Sequence, residues 1–161
     1  MTGMHHALTP IGLNAIATGG TDSLIFLSQV CSNLAQSGAS LAVAVRSKDS
    51  NMKQLASAAG VSALMGITEP ALYGVTLKLK RPVVAASIAA GIGGIVGVLL
   101  QVSLYIAQNC IMAIPAFIGE KGLINLIYGI IMIVVSFVAA FVLTLIFGLE
   151  GTTAETEGAV Q

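Results

Sequence analysis

Residues 124–149 contain no charged side chain, and neither do residues 83–107. Each run exceeds the roughly 20 predominantly apolar residues that a helix needs to cross about 30 Å of hydrocarbon. The rest of the composition points the same way: of 161 residues, 56% are hydrophobic and only 9% charged, where an ordinary soluble domain carries about 25% charged. A third run, residues 24–45, is also uncharged but holds Ser28, Gln29, Ser32, Asn33, Gln36, Ser37 and Ser40, which lipid would not tolerate on every face. It is expected to be a spanning helix inside a bundle, its polar stripe turned toward neighbours or a water-filled cavity.

Between the spanning runs lie residues 54–77, a largely apolar stretch with a single charged residue, Glu69, in Gly66-Ile67-Thr68-Glu69-Pro70. A carboxylate at bilayer depth costs several kcal/mol, about 2.5 to 3.5 on insertion scales, so it marks a functional site. Arg46, Lys48 and Lys53 precede the segment and Lys78, Lys80 and Arg81 follow it. If the segment crossed, one basic cluster would face outward, against the positive-inside rule. Gly60, Gly66 and Pro70 divide it into two arms too short to span, so a re-entrant hairpin is expected, with all six cations cytoplasmic and its tip near the bilayer midplane.

Counting crossings then sends residues 83–107 outward and residues 124–149 back, leaving the C-terminus cytoplasmic. Residues 150–161 carry Glu155 and Glu157 among Gly, Thr and Ala and read as a disordered tail or linker stub. Residues 1–22, punctuated by Pro10, Gly12, Gly19 and Gly20, read as a broken segment or hairpin remnant entering from the other side. The fold expected is an all-α integral membrane protein: three spanning helices plus two re-entrant or broken hairpin segments, within one permease-like domain over residues 1–149. Two interrupted segments entering from opposite faces are the pattern of a transporter site at the midplane. Gly91, Gly93, Gly94 and Gly97 are expected to pack closely against the hairpin.

Charge is balanced, with seven basic and seven acidic residues, so no nucleic-acid partner is indicated. Cys31 and Cys110 lack metal-ligand spacing and read as packed thiols. Neither a metal nor another cofactor is expected, since phosphate-loop, metal-cluster and nucleophile-elbow motifs are missing. His5 and His6 open the N-terminal segment; adjacent side chains point apart, so at most one of them is expected to face the site, the alternative being an interfacial or tag-like pair. An ionised Glu69 accepts hydrogen bonds and a histidine donates one or exchanges a proton, which suits a polyhydroxyl ligand.

These residues resemble the membrane permease domain, enzyme IIC, of bacterial phosphotransferase-system sugar transporters in the glucose superfamily, the β-glucoside type above all. The resemblance rests on Gly66-Ile67-Thr68-Glu69-Pro70-Ala71-Leu72-Tyr73-Gly74, on Lys48-Asp49-Ser50-Asn51-Met52-Lys53, and on Gly3-Met4-His5-His6-Ala7-Leu8-Thr9-Pro10. It implies that Glu69 and His5 act at the sugar, as hydroxyl binders and catalytic assistants, with Thr68, Gly66, Ile67 and Pro70 completing the binding loop. It further implies a multi-pass protein of the bacterial inner membrane. A phosphocysteine on enzyme IIB, itself charged by enzyme IIA, would phosphorylate the sugar's 6-hydroxyl. The match corresponds to the C-terminal half of such a permease, so a missing N-terminal half and a homodimer of the complete permease are expected partners. The enzyme IIB cysteine and enzyme IIA histidine motifs are absent from the sequence.

His6 stands where β-glucoside members carry Trp, and sucrose and trehalose permeases resemble the chain too. Two further functions stay open: a small stand-alone channel or carrier in which Glu69 selects a cation or proton, and a truncated fragment without function.

Overall fold

A computed structural model describes residues 5–20, 24–105, 111, 114, 117 and 122–147. The structure is helical: α1 (His5–Gly19), α2 (Ile25–Arg46), α3 (Ser50–Leu64), a π-helical segment (Pro70–Thr76) running into the single turn α4 (Leu77–Leu79), α5 (Arg81–Leu99) and α6 (Gly122–Phe147). No strand occurs among the described residues. Two helices, Arg81–Leu99 and Leu123–Phe147, are long and apolar enough to cross a membrane. The tail 150–161 and Cys110 lie outside the described residues.

α2 occupies the centre, packed by α1, α3, the π segment, α5 and α6. Its polar side chains go inward with its apolar ones: Asn33, Ser37 and Ser40 are buried beside Val30, Cys31, Leu34 and Val43. The Ser37 hydroxyl donates to the Gly60 carbonyl of α3 at 2.8 Å, satisfying a group that an apolar surround would otherwise penalise by several kcal/mol.

Residue pairs fix the helix directions. Gly38 of α2 lies against Phe137 and Ala140 of α6, and the Arg46 guanidinium donates to the Leu145 carbonyl at 2.6 Å. Numbers rise together, so α2 and α6 are parallel. Gly97 meets Met132, Gly93 meets Ser136, and Arg81 donates to the Phe147 carbonyl at 2.7 Å, so α5 runs antiparallel to α6. Arg46 and Arg81 thus converge on carbonyls that the last turn of α6 leaves without intrahelical donors, where a cation also meets the negative end of the helix dipole.

Three details depart from the sequence reading. Helix over residues 83–107 was expected, but α5 stops at Leu99. Gln101 takes a left-handed φ of 49°, and the N–H groups of Gln101 and Val102 return to the Val98 and Gly97 carbonyls. The reason lies in α6: the buried Asn125 side chain accepts from the Ser103 N–H at 3.1 Å and donates to the Ser103 and Phe117 carbonyls, both at 2.8 Å. That pairing holds Ser103 out of a helix. Second, α1 continues through Pro10 and Gly12 to Gly19, with Gly20 just beyond it at φ 73°. Pro10 lies in the second turn, where its missing N–H costs one intrahelical bond, and Gly12 lets Phe26 of α2 approach. Third, Gly93 and Gly97 pack on α6 rather than on the hairpin, while Gly91 and Gly94 stand in open space.

A methyl group on Gly38 would strike the Phe137 backbone carbonyl, which has nowhere to move. Gly38→Ala is therefore expected to cost about 1 to 3 kcal/mol, as overpacking does, and to lower the unfolding temperature in detergent. Gly91→Ala and Gly94→Ala should leave that temperature unchanged or raise it, because alanine favours helix by up to about 1 kcal/mol. A comparable loss from all three would contradict the assigned faces.

Candidate functional site

The segment around Glu69 is a helical hairpin whose two feet lie at the same end of the bundle. Three residues separate the end of α2 from the start of α3, and Asp49 caps α3, its Oδ1 accepting from the Asn51 N–H at 3.1 Å; such a cap contributes about 1 kcal/mol. α3 then runs back along α2, Gly60 closing on Leu41 and Ser37. Fifteen residues at about 1.5 Å each give a reach of roughly 22 Å, and Leu64 comes to rest against the cluster of Leu27, Val30 and Leu34. The return arm ends at Leu79, and Arg81, two residues on at the start of α5, is bonded to the same helix terminus as Arg46. The tip therefore falls partway along α2.

The tip is built by local bonding. Gly66, at φ 92°, donates to the Ala63 carbonyl at 3.1 Å and Ile67 to the Ser62 carbonyl at 3.0 Å. This pair of bonds is the Schellman closure of a helix, and it needs a left-handed residue where Gly66 stands. Thr68 then offers its carbonyl to the Leu72 N–H at 2.8 Å. Pro70 occupies the first position of the return arm, where a missing N–H costs nothing.

Glu69 sits between these two devices with helical φ and ψ, and its side chain caps no backbone N–H. Both Glu69 and Pro70 are exposed, as are Val61, Met65, Ile67 and Tyr73; Ala71, Val75 and Thr76 point the other way, into the bundle. One face of the hairpin thus anchors the tip, and the opposite face holds the carboxylate amid exposed apolar surface. Tyr73, 50% exposed and four residues after Glu69, presents a ring and a phenol on this side. Its signal in the sequence is an aromatic one turn beyond the acid, within the motif Glu69-Pro70-Ala71-Leu72-Tyr73.

The structure brings together Gly66, Ile67, Thr68, Glu69 and Pro70. It places His5 and His6 at the start of α1, which meets α2 at Phe26, the end opposite Arg46. The side chains of residues 1–8 lie outside the described residues, so the geometry described is that of the Glu69 half. Among the described residues no group of three His, Cys, Asp or Glu side chains is gathered for a metal.

Comparison with known proteins adds a second line. The family described as "Phosphotransferase system, EIIC" matches residues 1–91. A β-glucoside-specific EIIBCA component of Bacillus subtilis is 40% identical over 157 residues, covering 96% of this chain and 25% of the relative. An arbutin-, cellobiose- and salicin-specific EIIBC component of Escherichia coli is 36% identical, covering all of this chain and 33% of the relative. A sucrose-specific EIIBC component of Vibrio alginolyticus is 40% identical over 92% of this chain and 31% of the relative. The chain therefore spans a quarter to a third of the length of these relatives. No solved structure matches it significantly.

Gly66→Ala tests the tip's construction. A left-handed conformation costs an L-residue about 1 to 2 kcal/mol, so the variant should unfold at a lower temperature, with increased proteolysis at the tip. Unchanged stability would mean that the closure of α3 does not depend on this glycine.

Proposed function

The chain belongs to the EIIC family of the phosphotransferase system, and we propose that it forms the sugar-binding part of a membrane permease whose substrate is phosphorylated as it arrives inside. Glu69 carries the reading: an exposed carboxylate at the tip of a hairpin otherwise devoted to anchoring. A carboxylate accepts hydrogen bonds from sugar hydroxyls, and burial of the tip by sugar or by further protein would strengthen them. His5 supplies a donor or proton carrier from the other side. Thr68 and the backbone of Gly66 and Ile67 contribute further polar contacts, with Pro70 fixing the turn.

In this reading α2, α5 and α6 cross the bacterial inner membrane. The end carrying Arg46, Lys48, Lys53, Lys78, Lys80 and Arg81 faces the cytoplasm, residues 54–77 re-enter from that side, and the C-terminus is cytoplasmic. Residues 1–149 supply the C-terminal part of the permease domain, an N-terminal half completes it, and a homodimer of the complete permease is the working assembly. Phosphate comes from a phosphocysteine of enzyme IIB, recharged by enzyme IIA, onto the sugar's 6-hydroxyl. The sugar proposed is a β-glucoside. Sucrose is the second reading, favoured by the sucrose-specific relative and by one in Staphylococcus xylosus that is 44% identical over 83% of this chain.

Glu69→Gln keeps the shape and removes the charge. Each hydrogen bond to a charged group is worth about 1.5 to 3 kcal/mol, so uptake coupled to phosphorylation should fall by roughly 10- to 150-fold while membrane insertion is retained. Uptake at the unmodified rate would overturn the assignment. His5→Ala should impair uptake more than His6→Ala, since adjacent side chains point apart; equal losses would count against that register.

Topology has a test that needs no sugar. Single cysteines at Ser50 and Lys78, both exposed, in a background without Cys31 and Cys110, should both be shielded from an impermeant thiol reagent outside intact cells. Labelling of only one would mean that residues 54–77 cross the membrane.

A further inference from the structure

The return arm of the hairpin leaves α-helical geometry over seven residues, Pro70–Thr76. Stretches with i→i+5 bonding are rare, are mostly single-turn bulges, and recur at functional sites. This one begins on the residue after Glu69. Thr76 closes it: fully buried, its hydroxyl is shared between the Ala71 carbonyl at 3.1 Å and the Leu72 carbonyl at 3.3 Å. Those carbonyls lie five and four residues back, the acceptors that a π and an α register use in turn. The hydroxyl therefore sits where the two registers compete, and the following N–H, that of Leu77, goes to Leu72 in the π pattern.

Burial follows the wider period. Ala71 is buried, and the next buried positions are Val75 and Thr76, four and five residues on, where the α period of about 3.6 would bring residue 74 or 75 inward. Ala71, Val75 and Leu79 pack into one cluster with Val43, Ala44, Ala59 and Ala63. With Val75 and Leu79 so held against α2 and α3, a change of register cannot be absorbed toward the foot of the arm, and passes instead to the tip.

We propose that Thr76 is a positioning residue, its hydroxyl holding the π register of the return arm and thereby the direction in which Glu69 faces the sugar. The inference rests on the reading of Glu69 as the sugar-binding group. Reversion of the arm to an α-helix would swing Glu69 by about 100°, the rotation of one α-helical residue, away from the open face of the hairpin.

The test compares Thr76→Val and Thr76→Ser in the full-length membrane-inserted protein. Thr76→Val should raise the sugar KM by about tenfold or more with a smaller change in the rate at saturation, and Thr76→Ser should restore the original KM. In a separate background without Cys31 and Cys110, a Tyr73→Cys reporter should change its alkylation rate several-fold with Thr76→Val and not with Thr76→Ser. Alkylation needs no sugar, so it judges the register even if Glu69→Gln leaves transport intact, an outcome that would sink the sugar-site reading alone. Should Thr76→Val fail to fold, Thr76→Ala against Thr76→Ser isolates the hydroxyl, because both lack the γ-methyl. Unchanged KM and alkylation in the hydroxyl-less variants, or an equal effect of Thr76→Ser, would overturn the proposal.

Discussion

α2 carries hydroxyl and amide side chains that hydrocarbon would reject, and the arrangement of most other helices follows from enclosing it. Small residues make the enclosure tight. Gly38 brings the α6 backbone close, and Gly60 brings α3 onto Leu41. Close approach in turn puts the Ser37 hydroxyl within reach of a backbone carbonyl on α3. In a solvent that offers no hydrophobic drive between helices, such packing and hydrogen bonding are what hold a bundle together. The enclosure is also imperfect: Gln36 Oε1, Ser40 Oγ and Thr144 Oγ1 are buried without a hydrogen-bond partner among the described residues, and a small cavity of about 50 Å³ lies beside Gln36, Ser32 and Thr76, large enough for water.

The hairpin depends on that centre. α3 can run alongside α2 because its inner face is Ala56, Ala59, Gly60 and Ala63, a strip with almost no side-chain bulk. A thicker face would hold the tip away from the core, and the exposed carboxylate would lose its fixed setting. The anchoring face and the open face are thus two outcomes of one pattern, small residues inward and Val61, Met65, Ile67 and Glu69 outward.

Much of this was legible in the sequence, for reasons that are local. Uncharged length marks α5 and α6, polar spacing marks α2 as enclosed, and Gly66 with Pro70 marks the break in the hairpin. What escaped is set at a distance. Nothing near Leu99 announces the end of α5, because the group that holds Ser103 is the Asn125 side chain 22 residues on. Likewise Gly91, Gly93, Gly94 and Gly97 look alike in sequence, and only the position of α6 decides which of them are contacts. Arg46 and Arg81 entered the reading as signs of topology, yet each also caps α6, a role that charge counting does not reveal. The π register hides best of all, since no side chain from Ala71 to Thr76 distinguishes it from the α register in the sequence.

Asn125 and Arg81 bear on what can move. Asn125 ties α6, near its start, to the chain just beyond α5, and Arg81 ties the start of α5 to the end of α6. The two antiparallel helices are therefore latched at both ends, and sliding one along the other would stretch both latches at once. Sliding of α5 along α6 is therefore more costly than displacement of the two together, and Arg46 joins α2 to the same end of α6.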